Sequence, residues 1–138
     1  MNATPDAGVQ IGHRMGLKKG MTVQELGWDD DVDDQLRIAL EDAVDADLVD
    51  GDHGDVVDAV LLWWRDGDGD LVDALVDALT DLVGGGAIWL LTPKVGRAGA
   101  VDPAEVMEAA PIAGLSTTTS MPVSKDWAGT RLVAPKGR

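Results

Sequence analysis

The chain contains no cysteine. That removes a disulfide framework, a thiolate zinc site and a cysteine nucleophile, though it does not fix the redox compartment. It also contains no tyrosine, which removes phenol chemistry. Long apolar runs are missing too. The longest, such as Ala59 to Trp64 and Ala87 to Leu91, fall far short of the ~20 residues that span a bilayer. Residues 1 to 15 lack the apolar block of a signal peptide. The expectation is a cytoplasmic protein that does not enter a membrane.

Positive charge is scarce. Eleven Lys and Arg stand against 25 Asp and Glu, for a formal net charge of −14. Residues 25 to 81 carry twenty of the acids and only two bases, Arg37 and Arg65, while the flanks are mildly basic. Such a field repels phosphate backbones and anionic membrane surfaces, because nucleic-acid affinity comes largely from Lys and Arg releasing counterions. A nucleic-acid partner is not expected. Most of the acids are Asp, a bias that suits a surface tolerant of high salt.

With 138 residues and 45% hydrophobic content, the chain can bury one core, and a single domain is expected over residues 11–138. Residues 1–10 are small, polar and Gly/Pro-containing, as in a flexible arm. Thr22 to Leu26 alternates apolar and polar residues and predicts a first strand. After Asp29, Asp30 and Asp31, the spacing of Val32, Leu36, Leu40 and Ala43 predicts a helix with one apolar face. Ala46 to Val49 is a candidate short strand. Only about nine residues separate it from the strand at Ala59, fewer than a parallel crossover normally needs, so it is either peripheral or tightly connected.

Val57 to Lys94 carries the strongest pattern: an apolar strand, an amphipathic helix from about Asp70 to Val83, and a second apolar strand, Ala87 to Leu91. Gly84 to Gly86 are expected to end that helix. Strands apolar at every position are covered on both faces, as in a parallel α/β sheet. Asp102-Pro103-Ala104-Glu105 is a helix start with an N-cap acid and proline at the first position, and that helix is expected to stop before Pro111. Ser116 to Val123 and Gly129 to Val133 predict an antiparallel hairpin.

The order of these elements, and some of the residues, resemble the class I methyltransferase fold over roughly residues 20 to 135. Val23 to Asp31, VQELGWDDD, is similar to that family's cofactor loop, a strand ending in an acid followed by Gly-x-Gly-x-Gly. Glu25 and Gly27 match, while Asp29 and Asp31 stand where the second and third glycines belong. Asp50 is similar in placement to the acid that holds the cofactor ribose. The third strand and its adjoining helices are missing, so the resemblance implies a truncated, Rossmann-like three-layer α/β fold with a mostly parallel sheet. Taken whole, the chain resembles a family of small bacterial proteins known as domain of unknown function 3052, through LLWW, WLLTPK and W-x-G-T-R-L-V. That family carries no established activity, so the resemblance bears on fold alone.

The departure from glycine has a physical meaning. Glycines in a nucleotide loop let the backbone approach the ligand. Asp29 and Asp31 add side chains and negative charge there, which disfavours phosphate-rich cofactors but would not repel S-adenosylmethionine in the same way. Helix-capping acids with no ligand are the simpler account, and no cofactor is expected. Beyond the carboxyl ends of the strands the reading places Trp28, Trp64, Arg65, Thr92, Lys94 and Arg97, with Lys125 and Trp127 of the hairpin tip. These form a plugged cleft, a recognition surface of Trp and Arg anchors, or, for each tryptophan, ordinary core.

Asp66 to Asp70 has the alternating acids of a calcium loop, but Leu71 replaces the required glycine and Asp77 is too short for the twelfth position. A turn with a capping acid explains it better, and no metal site is expected. His53 and His13 read as solvated, and the hydroxyls from Ser116 to Ser120 have no His-Asp partners in a hydrolase pattern. No nucleophile stands out. The expected function is a non-catalytic Rossmann-like module that contacts an unidentified protein partner. The alternative is a divergent enzyme or sensor that binds S-adenosylmethionine or another metabolite through Glu25, Gly27, Asp29 and Asp50.

Overall fold

The computed structural model describes residues 7–136. A five-stranded sheet runs in the order β1 (Val23–Leu26), β2 (Val57–Trp63), β3 (Leu82–Pro93), β5 (Trp127–Val133), β4 (Ser116–Pro122). The first three strands are parallel; β5 is antiparallel to β3, and β4 to β5. Helices α1 (Ala7–Arg14) and α2 (Asp34–Val44) cover one face, and α3 (Leu71–Ala78) and α4 (Pro103–Ile112) the other. This is the expected three-layer α/β sheet with a C-terminal antiparallel hairpin. Among the described residues no helix is long and apolar enough to cross a membrane.

Each face of the sheet has its own apolar cluster, because successive strand residues point to opposite sides. Val60, Leu62, Ile88, Leu90 and Leu132 are buried with α3 and α4, and Leu61, Trp63, Trp89 and Leu91 with α2 and the segment after α1. The Trp89 indole N–H donates to the Met15 carbonyl at 2.9 Å, so a fully buried ring also satisfies a polar group where α1 ends. Helix starts follow the aspartates: Asp33 accepts from Leu36 N–H, Asp70 from Asp73 N–H and Asp102 from Ala104 N–H.

The structure departs from the sequence reading in three places, at α1, α3 and α4, and decides between the two alternatives left for Ala46–Val49. Helix α1 begins at Ala7, so residues 7–10 are helical and not part of an arm, while residues 1–6 lie outside the described residues. The Ala46–Val49 segment is peripheral: only Val49 bridges to Gln24, through Glu25 N–H to Val49 O at 2.7 Å and Val49 N–H to Val23 O at 2.9 Å.

Helix α3 ends at Ala78, not near Val83, because Val57 N–H takes the Asp81 carbonyl at 2.8 Å and draws the chain into β3. Gly84 to Gly86 therefore lie inside β3, in the bulge between the Val57–Leu82 and Ala59–Ala87 pairs. Glycine is required by crowding there, since a β-carbon on Gly86 would lie 2.9 Å from the Asp58 carbonyl oxygen. Finally, α4 runs through Pro111 to Ile112. Proline in the last turn forgoes one backbone bond, and Ala113 N–H to Ala109 O still closes the end.

Candidate functional site

The carboxyl ends of β1 and β2 open onto the loop before α2, where α/β sheets place their ligands. Glu25 is the first polar side chain of this end and is only 8% exposed. Its carboxylate accepts from Arg37 Nε at 2.6 Å and Nη2 at 2.8 Å, and from the Trp63 indole N–H at 2.9 Å. Both oxygens are engaged. The two bonds to Glu25 outweigh burial and raise the Arg37 pKa, with Asp34 adding to the effect.

Gly27 follows with φ +77, and a β-carbon there would lie 2.2 Å from the Trp63 carbonyl oxygen. The loop is thus pressed against the end of β2. Arg65, two residues beyond Trp63, folds back across the gap. Its Nη1 donates to Gly27 O at 2.7 Å, and its Nε to Asp31 Oδ2 at 3.0 Å. Nη2 bonds the other Asp31 oxygen, and Asp68 approaches from the next turn. The guanidinium lies 5.4 Å from the Trp127 ring centroid, and Trp127 meets Trp63 edge-on at 4.8 Å.

Electrostatics follow this geometry. Hydrogen bonding from Arg65 holds the Asp31 carboxyl below its ordinary pKa, against the opposing effect of burial and helped by the Arg65 charge. Burial works against the Arg65 charge, but the bonds and field of Asp31, and then Asp68, outweigh it and raise its pKa.

The sequence-named residues divide. Gly27, Arg65 and Trp127 come together with Asp31, and Arg97, paired with Asp126, stands across a hollow of about 290 Å³ from them. Trp64 is buried on the opposite face among α3 and α4, and Trp127 is 4% exposed. Both are core, which leaves Trp28, 57% exposed, as the tryptophan open at this end. Thr92 and Lys94 line a separate groove beside α4, and Lys125 is exposed at the hairpin tip. Asp29 is exposed and accepts from Asp30 N–H, and Asp50 is exposed and accepts from Asp52 N–H at 2.9 Å.

Sequence reasoning missed Arg37, Trp63, Asp68 and Asp126. One signal was present: the acidic stretch holds only two arginines, and each is the centre of an ion-pair cluster. Among the described residues no group of three His, Asp or Glu is arranged to hold a metal.

Comparison with known proteins agrees with this architecture. Solved structures with the same fold include the pyocyanin biosynthetic protein PhzM, with TM-score 0.62 and 13% identity over 93% of this chain and 55% of that one. The chain thus spans just over half of that protein. A SAM-dependent methyltransferase from Aquifex aeolicus matches with TM-score 0.57 and 14% identity, covering 91% of this chain and 88% of its own. At such identities the likeness is one of fold. Uncharacterized proteins of Mycobacterium tuberculosis and Mycobacterium bovis are 51% identical over 125 residues, 91% of this chain and 78% of theirs. A family model described as "Protein of unknown function (DUF3052)" matches residues 12–136, and the chain belongs to that family.

Proposed function

We propose that this chain is a non-catalytic, methyltransferase-like module whose ligand crevice is filled by its own side chains and which works through contact with another protein. One observation carries this reading: Arg65 spans from β2 to Gly27 and Asp31 and lies against Trp127, in the space beyond the strand ends. Entry of a cofactor there would require breaking the Arg65–Asp31 pair. Glu25 is no freer, because Arg37 and Trp63 already take both its oxygens. These residues do not fit S-adenosylmethionine as the glycine loop of the fold family would hold it.

What remains open at this end is a loop surface. Trp28 follows β1, Val95 (89% exposed) and Arg97 follow β3, and Lys125 sits between β4 and β5. Tryptophan and arginine are frequent anchors of protein interfaces. This set replaces Trp64 and Trp127, which are buried, and Arg65, which is mostly buried and tied to Gly27 and Asp31; Arg97 also pairs, with Asp126, but stays half exposed.

A second reading, a divergent S-adenosylmethionine or metabolite binder, draws on the exposed carboxylates of Asp29 beside Gly27 and Asp50 after the residual strand. Titrating tryptophan fluorescence with S-adenosylmethionine and its demethylated product separates the two. The expected response is flat. Saturable binding at micromolar ligand, lost in Asp50→Ala, would overturn the first reading in favour of the second. For the surface, proteins crosslinked to the native chain in cells are expected to be lost from a folded Trp28→Ala/Arg97→Ala variant; an unchanged set removes the assignment.

A further inference from the structure

On the face opposite the Arg65 cluster, the end of the sheet carries a groove of about 320 Å³. Its floor is set by strand register. Leu90 pairs with Thr130 and Thr130 with Ser120; in the next row on that face Thr92 pairs with Ala128 and Ala128 with Pro122. Side chains two apart on a strand share a face, so both rows look toward α4. Further along α4, Ala109 and Ala110 are buried against the sheet, but the first turns stand over residues too small to fill the space between. The result is an apolar slot walled by Val101, Val106 and Met107, with three hydroxyls, Thr92, Ser120 and Thr130, along its floor.

The charge of this slot is unlike the rest of the surface. Four other hollows on the protein each expose at least one carboxylate. Here the lining holds none, and its one charged group is Lys94. Lys94 is half-buried and makes no ion pair among the described residues. Two acids lie near it and both are engaged elsewhere: Asp126, whose carbonyl accepts from Lys94 N–H at 2.9 Å, has its carboxylate paired with Arg97, and Asp102 caps Ala104 N–H. Met107, 59% exposed, and Val95 leave apolar surface at the mouth.

We propose that this groove binds a medium-chain aliphatic monocarboxylate, its head on Lys94 and the floor hydroxyls and its chain along Val101, Val106 and Met107. The volume is within the range of small-molecule sites, and a mostly apolar lining with a few convergent polar groups is their usual composition. One cation matches one negative charge, and in a chain of net charge −14 a more highly charged anion would be repelled. The groove lies away from the Arg65 cluster, so the inference holds whether or not the strand-end crevice takes a ligand.

Calorimetric titration of the full chain with sodium decanoate, below its micelle concentration, tests this. Saturable one-to-one binding is expected, weakened about tenfold by Lys94→Met and retained by Lys94→Arg. On the native protein, 1-decanol is expected to bind about tenfold more weakly than decanoate, and decyltrimethylammonium not to saturate. Met107→Trp, which fills the mouth from an exposed position, is expected to abolish binding with the unfolding midpoint unchanged. Absence of saturable decanoate binding overturns the proposal. So does equal affinity for decanoate and 1-decanol, a comparison that needs no variant to fold.

Discussion

The Trp63 carbonyl oxygen lies 2.2 Å from the point where a β-carbon on Gly27 would stand, and Gly27 has φ +77. Two independent restrictions therefore fall on one residue: a left-handed backbone and a backbone neighbour that cannot rotate away. Gly27→Ala is expected to destabilise the fold by more than the ~1–2 kcal/mol of the left-handed conformation alone. Urea unfolding measures it, and a smaller loss would show that the β1 end can move away from β2.

Glu25 and Arg37 differ in burial, at 8% and 28% exposed, and that difference orders their variants. Removing one member of a buried pair leaves the other uncompensated, at a cost of about 3–5 kcal/mol when burial is deep. Arg37→Met strands the more buried partner and is expected to cost more than Glu25→Gln, which still accepts from the Trp63 indole. Denaturant midpoints of the two variants compare them directly; the reverse order would mean that Trp63 alone satisfies Glu25.

The Asp31 pKa is depressed in the fold by Arg65, which fixes the sign of a pH effect. Stability from this pair is fully present above the unfolded Asp value of about 3.9 and is lost as pH falls through the lower folded value. The stability gap between the native chain and Arg65→Met is expected to be constant above about pH 5 and to shrink on acidification. Asp31 is half exposed, so the part of the gap that depends on pH is modest. A gap that widens toward low pH would contradict the pairing.

The crowding of twenty acids into residues 25 to 81, with many exposed on α2, α3 and their loops, predicts a response to salt. Screening shortens the range of their repulsion from about 10 Å at 0.1 M to about 3 Å at 1 M. The melting temperature is expected to rise between low and molar KCl. A flat or falling profile would show that the acids are spaced widely enough not to oppose folding.

What the sequence determined by itself was local or periodic. The apolar runs at Val57 and Ala87 marked central strands, and the four- and three-residue spacings of Leu36, Leu40 and Ala43 marked the buried face of α2. Asp102 and Pro103 marked the start of α4, because capping and side-chain alternation act within a few residues of their cause. Only tertiary structure decided the rest. The end of α3 at Ala78 depends on Val57 taking the Asp81 carbonyl, which local propensity does not contain. Trp64 and Trp127 became core because of the faces they occupy once β2, β3 and β5 are neighbours. The Glu25–Arg37–Trp63 and Arg65–Asp31–Gly27 clusters join residues up to 38 positions apart, and their geometry exists only after the parallel pairing of β1 and β2 aligns the two strand ends.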